Sequence, residues 1–324
     1  TKQWIPKGVW RPRSASLRYT IRMLRRSRKR GRRHLRTPFN HRLTLWYHKA
    51  MAIRVAINGF GRIGRSFFRA VHGRPDMEVV AINDLGAIDT LAYLLKYDTV
   101  YGRAPFSVEV AGGSLKIDGR TVEVFAEKDP AHLPWGDHKV DIVVESTGIF
   151  TEYEKAQAHI IAGAKRVVIS GPVKQDSELG ATVLMGLNED RIAAHKITSN
   201  ASCTTNATSP IVAILDRTLG IDKALLSTTH AYTASQSLVD GPSKKDVKEG
   251  RAAAQNIVPT STGAAIAVTK AYPALLGRFD GISLRVPVPA GSITDVTFIA
   301  KRETTAEEVN DILRKAAKDP HRRE

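Results

Sequence analysis

One cysteine in 324 residues leaves no partner for an internal disulfide and too few thiols for a multi-cysteine zinc site. It fits a reducing compartment such as the cytoplasm, and no metal is expected. No run of about 18 apolar residues occurs, so no segment reads as a membrane-spanning helix. No period recurs along the chain, which excludes solenoid and collagen architectures. The first fifty residues contain neither Asp nor Glu.

That last absence divides the chain. Of the formal net charge of +17, residues 1–50 hold 16 Lys and Arg and therefore +16, leaving +1 for residues 51–324. The basic character belongs to an extension and not to the body. Within it runs Arg25-Arg26-Ser27-Arg28-Lys29-Arg30-Gly31-Arg32-Arg33, with Trp4, Trp10 and Trp46 nearby. Like-charge repulsion and the lack of apolar periodicity predict disorder. Three readings stay open: a nucleic-acid-binding arm, an Arg-rich transit peptide, or sequence upstream of a true start at Met51.

The body opens with a short β-branched run, Ile53-Arg54-Val55-Ala56-Ile57-Asn58, of the kind that forms a buried parallel strand. Gly59-Phe60-Gly61-Arg62-Ile63-Gly64 follows at once, then a helix over Arg65–Val71 and a second strand over Glu78–Asn83. Asp84 closes that strand, twenty residues beyond Gly64. The first glycine allows a tight turn, the second lets backbone approach a pyrophosphate, and the third lets helix pack on strand. The free N–H groups of the helix N-terminus suit phosphate. Asp84 can accept hydrogen bonds from ribose hydroxyls and would repel a 2′-phosphate, so NAD is favoured over NADP. Further strands end in Ser146-Thr147-Gly148 and Ser170-Gly171-Pro172, while residues 107–125 predict an antiparallel edge meander.

The cysteine lies in Ser199-Asn200-Ala201-Ser202-Cys203-Thr204-Thr205-Asn206, ahead of a helical pattern carrying Ile211, Leu215 and Leu219. A thiol near a helix N-terminus is biased toward thiolate. It needs a base, and among seven histidines of the body His230 stands out, closing the strand Ala224–Thr229 before Ala231-Tyr232-Thr233.

These blocks, with Pro259-Thr260-Ser261-Thr262-Gly263-Ala264-Ala265 and Leu284-Arg285-Val286-Pro287, carry a family resemblance. From Met51 onward, over about 270 residues, the chain resembles the phosphorylating glyceraldehyde-3-phosphate dehydrogenases. The resemblance implies an α/β fold: a doubly wound Rossmann NAD-binding domain over 51–199, then an α+β catalytic domain over 200–324, after the basic extension 1–50. It implies Cys203 as nucleophile and His230 as general base. It implies NAD contacts at Gly59, Gly61, Arg62, Ile63, Gly64, Asp84, Lys128, Thr147 and Ser170. Substrate and inorganic phosphates would meet Ser202, Thr204, Thr233, Thr262, Gly263 and Arg285. Glyceraldehyde 3-phosphate would become 1,3-bisphosphoglycerate through a Cys203 thioester, in a homotetramer whose loop 230–257 crosses a subunit interface.

The resemblance also marks departures. Ala207 stands where many members have a second cysteine. The family continues beyond the helix expected over Thr305–Ala317, so the chain reads as truncated at its C-terminus, without the last strands and helix of the catalytic domain. Two other activities are carried forward: erythrose-4-phosphate dehydrogenase, and an inactive truncated chain whose basic arm binds nucleic acid. If the arm binds RNA, affinity falls steeply as salt rises, and a chain starting at Met51 loses it. A filter-binding titration on both chains checks this; binding that ignores salt or survives the deletion removes that role.

Overall fold

The computed structural model describes residues 52–243 and 246–319. The expectations for residues 1–50 lie outside the described residues.

In chain order the strands of the first half are β1 (Ile53–Asn58), β2 (Met77–Asn83), β3 (Tyr97–Asp98), β4 (Gly102–Arg103), β5 (Val108–Ala111), β6 (Ser114–Ile117), β7 (Arg120–Phe125), β8 (Ile142–Glu145), β9 (Arg166–Ile169), β10 (Gly180–Thr182) and β11 (Ile197–Ser199). Between them run α1 (Arg62–Val71), α2 (Ile88–Lys96) and α3 (Tyr153–Ile161). The second half holds α4 (Cys203–Leu219), β12 (Ile221–Ala231), β13 (Val258–Ser261), α5 (Ala264–Ala271), β14 (Phe279–Val286), β15 (Ser292–Ala300) and α6 (Ala306–Ala316).

Nine strands form one sheet in the order β10-β11-β9-β8-β1-β2-β7-β6-β5. From β10 to β7 every neighbouring pair is parallel. Parallel strands need both faces covered, which is why Ile57, Val143 and Val167 are wholly buried. The predicted meander is present as β5-β6-β7, but β7 also pairs in parallel with β2, which fuses it to the main sheet. The chain builds outward from β1 through β2 and β7, then returns to place β8 on the other side of β1. The topological switch point therefore lies between β1 and β8, where open α/β sheets bind ligands.

Helix α1 starts at Arg62, three residues before the start predicted from the sequence. Gly64 lies inside it because contact with β1 outweighs glycine's poor helix propensity: a Cβ there would sit 2.2 Å from the Gly59 carbonyl oxygen and 3.0 Å from Ile57 Cγ2. Gly59 holds φ +89°.

The second sheet runs β13-β14-β12-β15 and packs one face on α4, α5 and α6. Val212, Leu215 and Leu219 of α4 are buried there, whereas Ile211, assigned to the apolar face from sequence, is exposed. Thr305 caps α6 by accepting from Glu308 N at 3.2 Å. The Glu308 carboxylate takes Thr304 and Arg302, the latter offering it a charged two-nitrogen fork. The opposite face of this sheet carries Leu225, Ile282, Ile293 and Ile299, all exposed.

Gly64→Ala forces backbone apart and is expected to cost about 1–3 kcal/mol. Gly61→Ala has open space around its new Cβ and leaves stability within about 0.5 kcal/mol. Urea unfolding of the two variants checks the contrast; equal losses would contradict the packing.

Candidate functional site

The parallel sheet delivers five chain segments to one edge. β1 leads into the Gly59–Gly64 turn, β2 into Asp84, β8 into Ser146–Gly148, β9 into Ser170, and β11 into Asn200–Cys203. At the switch point the first and third of these meet: a Cβ on Gly59 would lie 2.6 Å from Thr147 N. Gly61, by contrast, has nothing within 4 Å of where its Cβ would be. Helix α1 has no side-chain cap and no acidic residue in its first turn, so its N–H groups and partial positive charge face that open space. Such a cradle suits an anion.

Asp84 binds the glycine turn directly, with Oδ2 accepting from Phe60 N at 2.7 Å and Oδ1 from Gly86 N at 2.8 Å. Its remaining lone pairs are available to hydroxyls. The Arg62 guanidinium turns to Asp98 at 3.1 Å, leaving its backbone N–H to the cradle. Ile63 is exposed at the same helix end, and Lys128 is exposed in the loop after β7. Thr147 gives both N–H and Oγ1–H to Glu145, at 2.8 and 2.5 Å. Ser170 N donates to the Glu145 carbonyl at 2.9 Å.

From β11 the chain turns through Ala201, a non-glycine residue at φ +54°, and enters α4 at once. Ser202 is the N-cap, its Oγ accepting from Thr205 N at 3.1 Å. Cys203 is thus the first residue of α4, exposed, with Thr204 and Thr205 buried behind it. His230 comes from the other sheet, inside β12 and not after it, because the strand runs to Ala231. Its Nε2 lies 3.2 Å from Cys203 Sγ. That contact draws the thiol below the ordinary thiol range, against burial, which opposes it. The same contact raises the His230 imidazole, with burial and the Arg285 guanidinium working against it. Both shifts run toward the thiolate–imidazolium form of the pair. His230 Nδ1 faces the Ala231 carbonyl at 2.7 Å.

Arg285 lies opposite His230 in the parallel β12–β14 register, and its Nη1 approaches His230 Nδ1 at 2.7 Å and Ala231 O at 3.1 Å. Thr262 accepts from Ala264 N at 3.1 Å, and Gly263 is the N-cap of α5. Thr233 is exposed beyond β12, hydrogen-bonded to Ser235 at 3.0 Å. Among the described residues no group of three or more His, Cys, Asp or Glu is arranged to hold a metal ion, and no helix is long and apolar enough to cross a membrane.

Two family models match the chain. Residues 53–153 match the glyceraldehyde 3-phosphate dehydrogenase NAD binding domain, and residues 202–323 match the C-terminal domain of the same family. The chain belongs to the glyceraldehyde 3-phosphate dehydrogenase family. Among its relatives, glyceraldehyde-3-phosphate dehydrogenase 2 of Streptomyces avermitilis is 51% identical over 270 residues, 82% of this chain and 79% of that protein. Glyceraldehyde-3-phosphate dehydrogenase of Streptomyces coelicolor is 50% identical over 83% of this chain and 80% of its own length. Glyceraldehyde-3-phosphate dehydrogenase 1 of Bacillus subtilis is 49% identical over 82% and 79%. The cofactor of this glyceraldehyde 3-phosphate dehydrogenase family member is NAD, and the glycine cradle with Asp84 fits it.

The sequence reading missed a buried polar cluster behind the crevice, formed by Asn58, Asn83, Glu145 and His159. Three polar residues, each ending an apolar parallel strand, were the available signal.

The lowered thiol and raised imidazole fix the pH behaviour of Cys203. As pH falls, its alkylation is expected to persist below the ordinary thiol range, and at neutral pH to run about tenfold faster than that of free cysteine. His230→Asn removes the lowering contact and moves the midpoint to higher pH. Iodoacetamide kinetics across pH check both; an unmoved midpoint in the variant would separate His230 from the thiol.

Proposed function

We propose that this chain converts glyceraldehyde 3-phosphate, NAD and inorganic phosphate to 1,3-bisphosphoglycerate and NADH, using Cys203 as nucleophile and His230 as base. The observation that carries the proposal is the 3.2 Å approach of His230 Nε2 to the Cys203 thiol at the first turn of α4. The relatives' names favour the triose phosphate over erythrose 4-phosphate.

In this reading the Cys203 thiolate adds to the aldehyde carbon, and a proton goes to the new oxygen, giving a hemithioacetal. His230 then takes the hydroxyl proton as the carbon loses its hydride and becomes a thioester. NAD, when bound, supplies the hydride acceptor. Inorganic phosphate attacks the thioester carbonyl and expels the Cys203 thiolate, which the His230 imidazolium stabilises. Ser202, Thr204, Thr233, Thr262, Gly263 and Arg285 would bind the two phosphates through hydroxyls, backbone N–H groups and a permanently charged guanidinium. Gly59, Gly61, Gly64 and the first-turn Arg62 and Ile63 would carry the pyrophosphate end of NAD. Asp84 would take ribose hydroxyls, with Lys128, Thr147 and Ser170 along the same crevice.

The proposal extends to organisation. Residues 51–199 would form the NAD domain and residues 200–324 the catalytic domain. A homotetramer would cover the apolar face of Leu225, Ile282, Ile293 and Ile299, each more than half exposed. A cytoplasmic setting would keep the single thiol reduced.

Cys203→Ser is expected to lower dehydrogenase turnover by at least about a thousandfold while leaving NAD affinity nearly unchanged. Steady-state assay and calorimetric NAD titration on the same preparation check this. Retained turnover, or lost NAD binding, would contradict the assignment.

A further inference from the structure

The cofactor crevice rests on a buried carboxylate that the chemistry above does not use. Glu145, the last residue of β8, is 2% exposed. Its Oε1 accepts from Thr147 N at 2.8 Å and Thr147 Oγ1 at 2.5 Å. Its Oε2 accepts from Asn58 Nδ2 at 2.5 Å and faces His159 Nε2 at 3.0 Å. His159 is fully buried, and its Nδ1 accepts from Trp135 Nε1 at 3.0 Å. Since Nδ1 is the acceptor, Nε2 carries the ring proton and donates it to Glu145. Four donors from three segments of chain therefore converge on one carboxylate.

The network continues along the sheet edge. Asn58 ends β1, immediately before the glycine turn, and its Oδ1 accepts from Asn83 Nδ2 at 2.7 Å. Asn83 ends β2, immediately before Asp84, and grips the Glu127 backbone through Nδ2 to O and Oδ1 from N, both at 2.9 Å. Glu127 precedes Lys128. The loops after β1, β2, β7 and β8 are thus joined by side chains beneath the crevice.

We propose that Glu145 is a positioning residue for NAD, holding the Thr147 loop and the glycine turn at the separation the dinucleotide needs, with His159 fixing Glu145 in turn. The inference rests on the NAD-binding reading of the crevice. A buried carboxylate is a poor device for stability alone, because its desolvation offsets its attractions and an apolar residue would pack as well. What only the carboxylate does here is accept both polar atoms of Thr147 and the Asn58 amide at once. Thr147 N lies against Gly59, so a Thr147 loop released from Glu145 would press on or part from the turn.

Glu145→Gln replaces an acceptor for four donors with a group that itself donates. Calorimetric titration of the full chain with NAD is expected to show a Kd raised about tenfold, the loss typical of one mismatched hydrogen bond to a charged group. The KM for NAD should rise with it. The KM for glyceraldehyde 3-phosphate and the rate of Cys203 alkylation should stay within about twofold, since neither depends on the crevice. His159→Gln keeps one donor and one acceptor and should retain affinity, whereas His159→Leu should lose it as Glu145→Gln does. Should Glu145→Gln fail to fold, the His159 pair decides the matter. Wild-type binding with unchanged affinity in the variants overturns the proposal. So does an equal loss of NAD affinity and Cys203 alkylation in both His159 variants, which would mark a purely structural role. A wild-type chain that does not bind NAD would instead overturn the cofactor reading itself.

Discussion

Gly59 and Thr147 approach so closely that no side-chain carbon fits between them, and the site is organised around that approach. It exists because β1 and β8 are parallel neighbours at the point where the chain reverses its direction of growth across the sheet. Two loops that leave adjacent parallel strands must diverge or touch. Here they touch, and the open space beside Gly61 is what remains for a ligand. Asp84 and Glu145 secure the contact from either side, one by binding the Phe60 amide and the other by binding Thr147 and Asn58.

The reactive pair is assembled on a different principle. Cys203 is delivered by the first sheet through β11, and His230 by the second sheet through β12. Neither element alone makes a reactive thiol. The N-terminal end of α4 favours negative charge at Cys203, and the imidazole 3.2 Å away supplies the positive partner. Arg285 sits close enough to His230 to oppose its protonation.

Much of this was legible in the sequence where the signal was local. A glycine turn between a β-branched strand and a helix, an acid twenty residues on, and a thiol just before an amphipathic helix each announce themselves within a few residues. Helix α1 was predicted to begin too late because propensity discounts glycine, while packing against β1 needs it. His230 was placed at a strand end, yet β12 extends past it because register with β14 continues to Ala231. The meeting of His230 with Arg285 follows from that register, which no local pattern fixes. Glu145 and His159 escaped for a related reason. A charged residue at the end of an apolar strand looks like its exit to solvent, and only the convergence of Asn58, Thr147 and His159 reveals that it stays inside.

Ala201 pays a conformational penalty that its glycine equivalent would avoid. A left-handed backbone at a residue with a Cβ costs on the order of 1–2 kcal/mol. The methyl responsible is buried among Leu184, Ala267 and Ala271, joining the loop after β10 to helix α5. The strained turn is therefore wedged in place by packing from both halves of the molecule, one residue before the cap that presents Cys203. The nucleophile's address is thus set in part by a methyl group held between α5 and that loop.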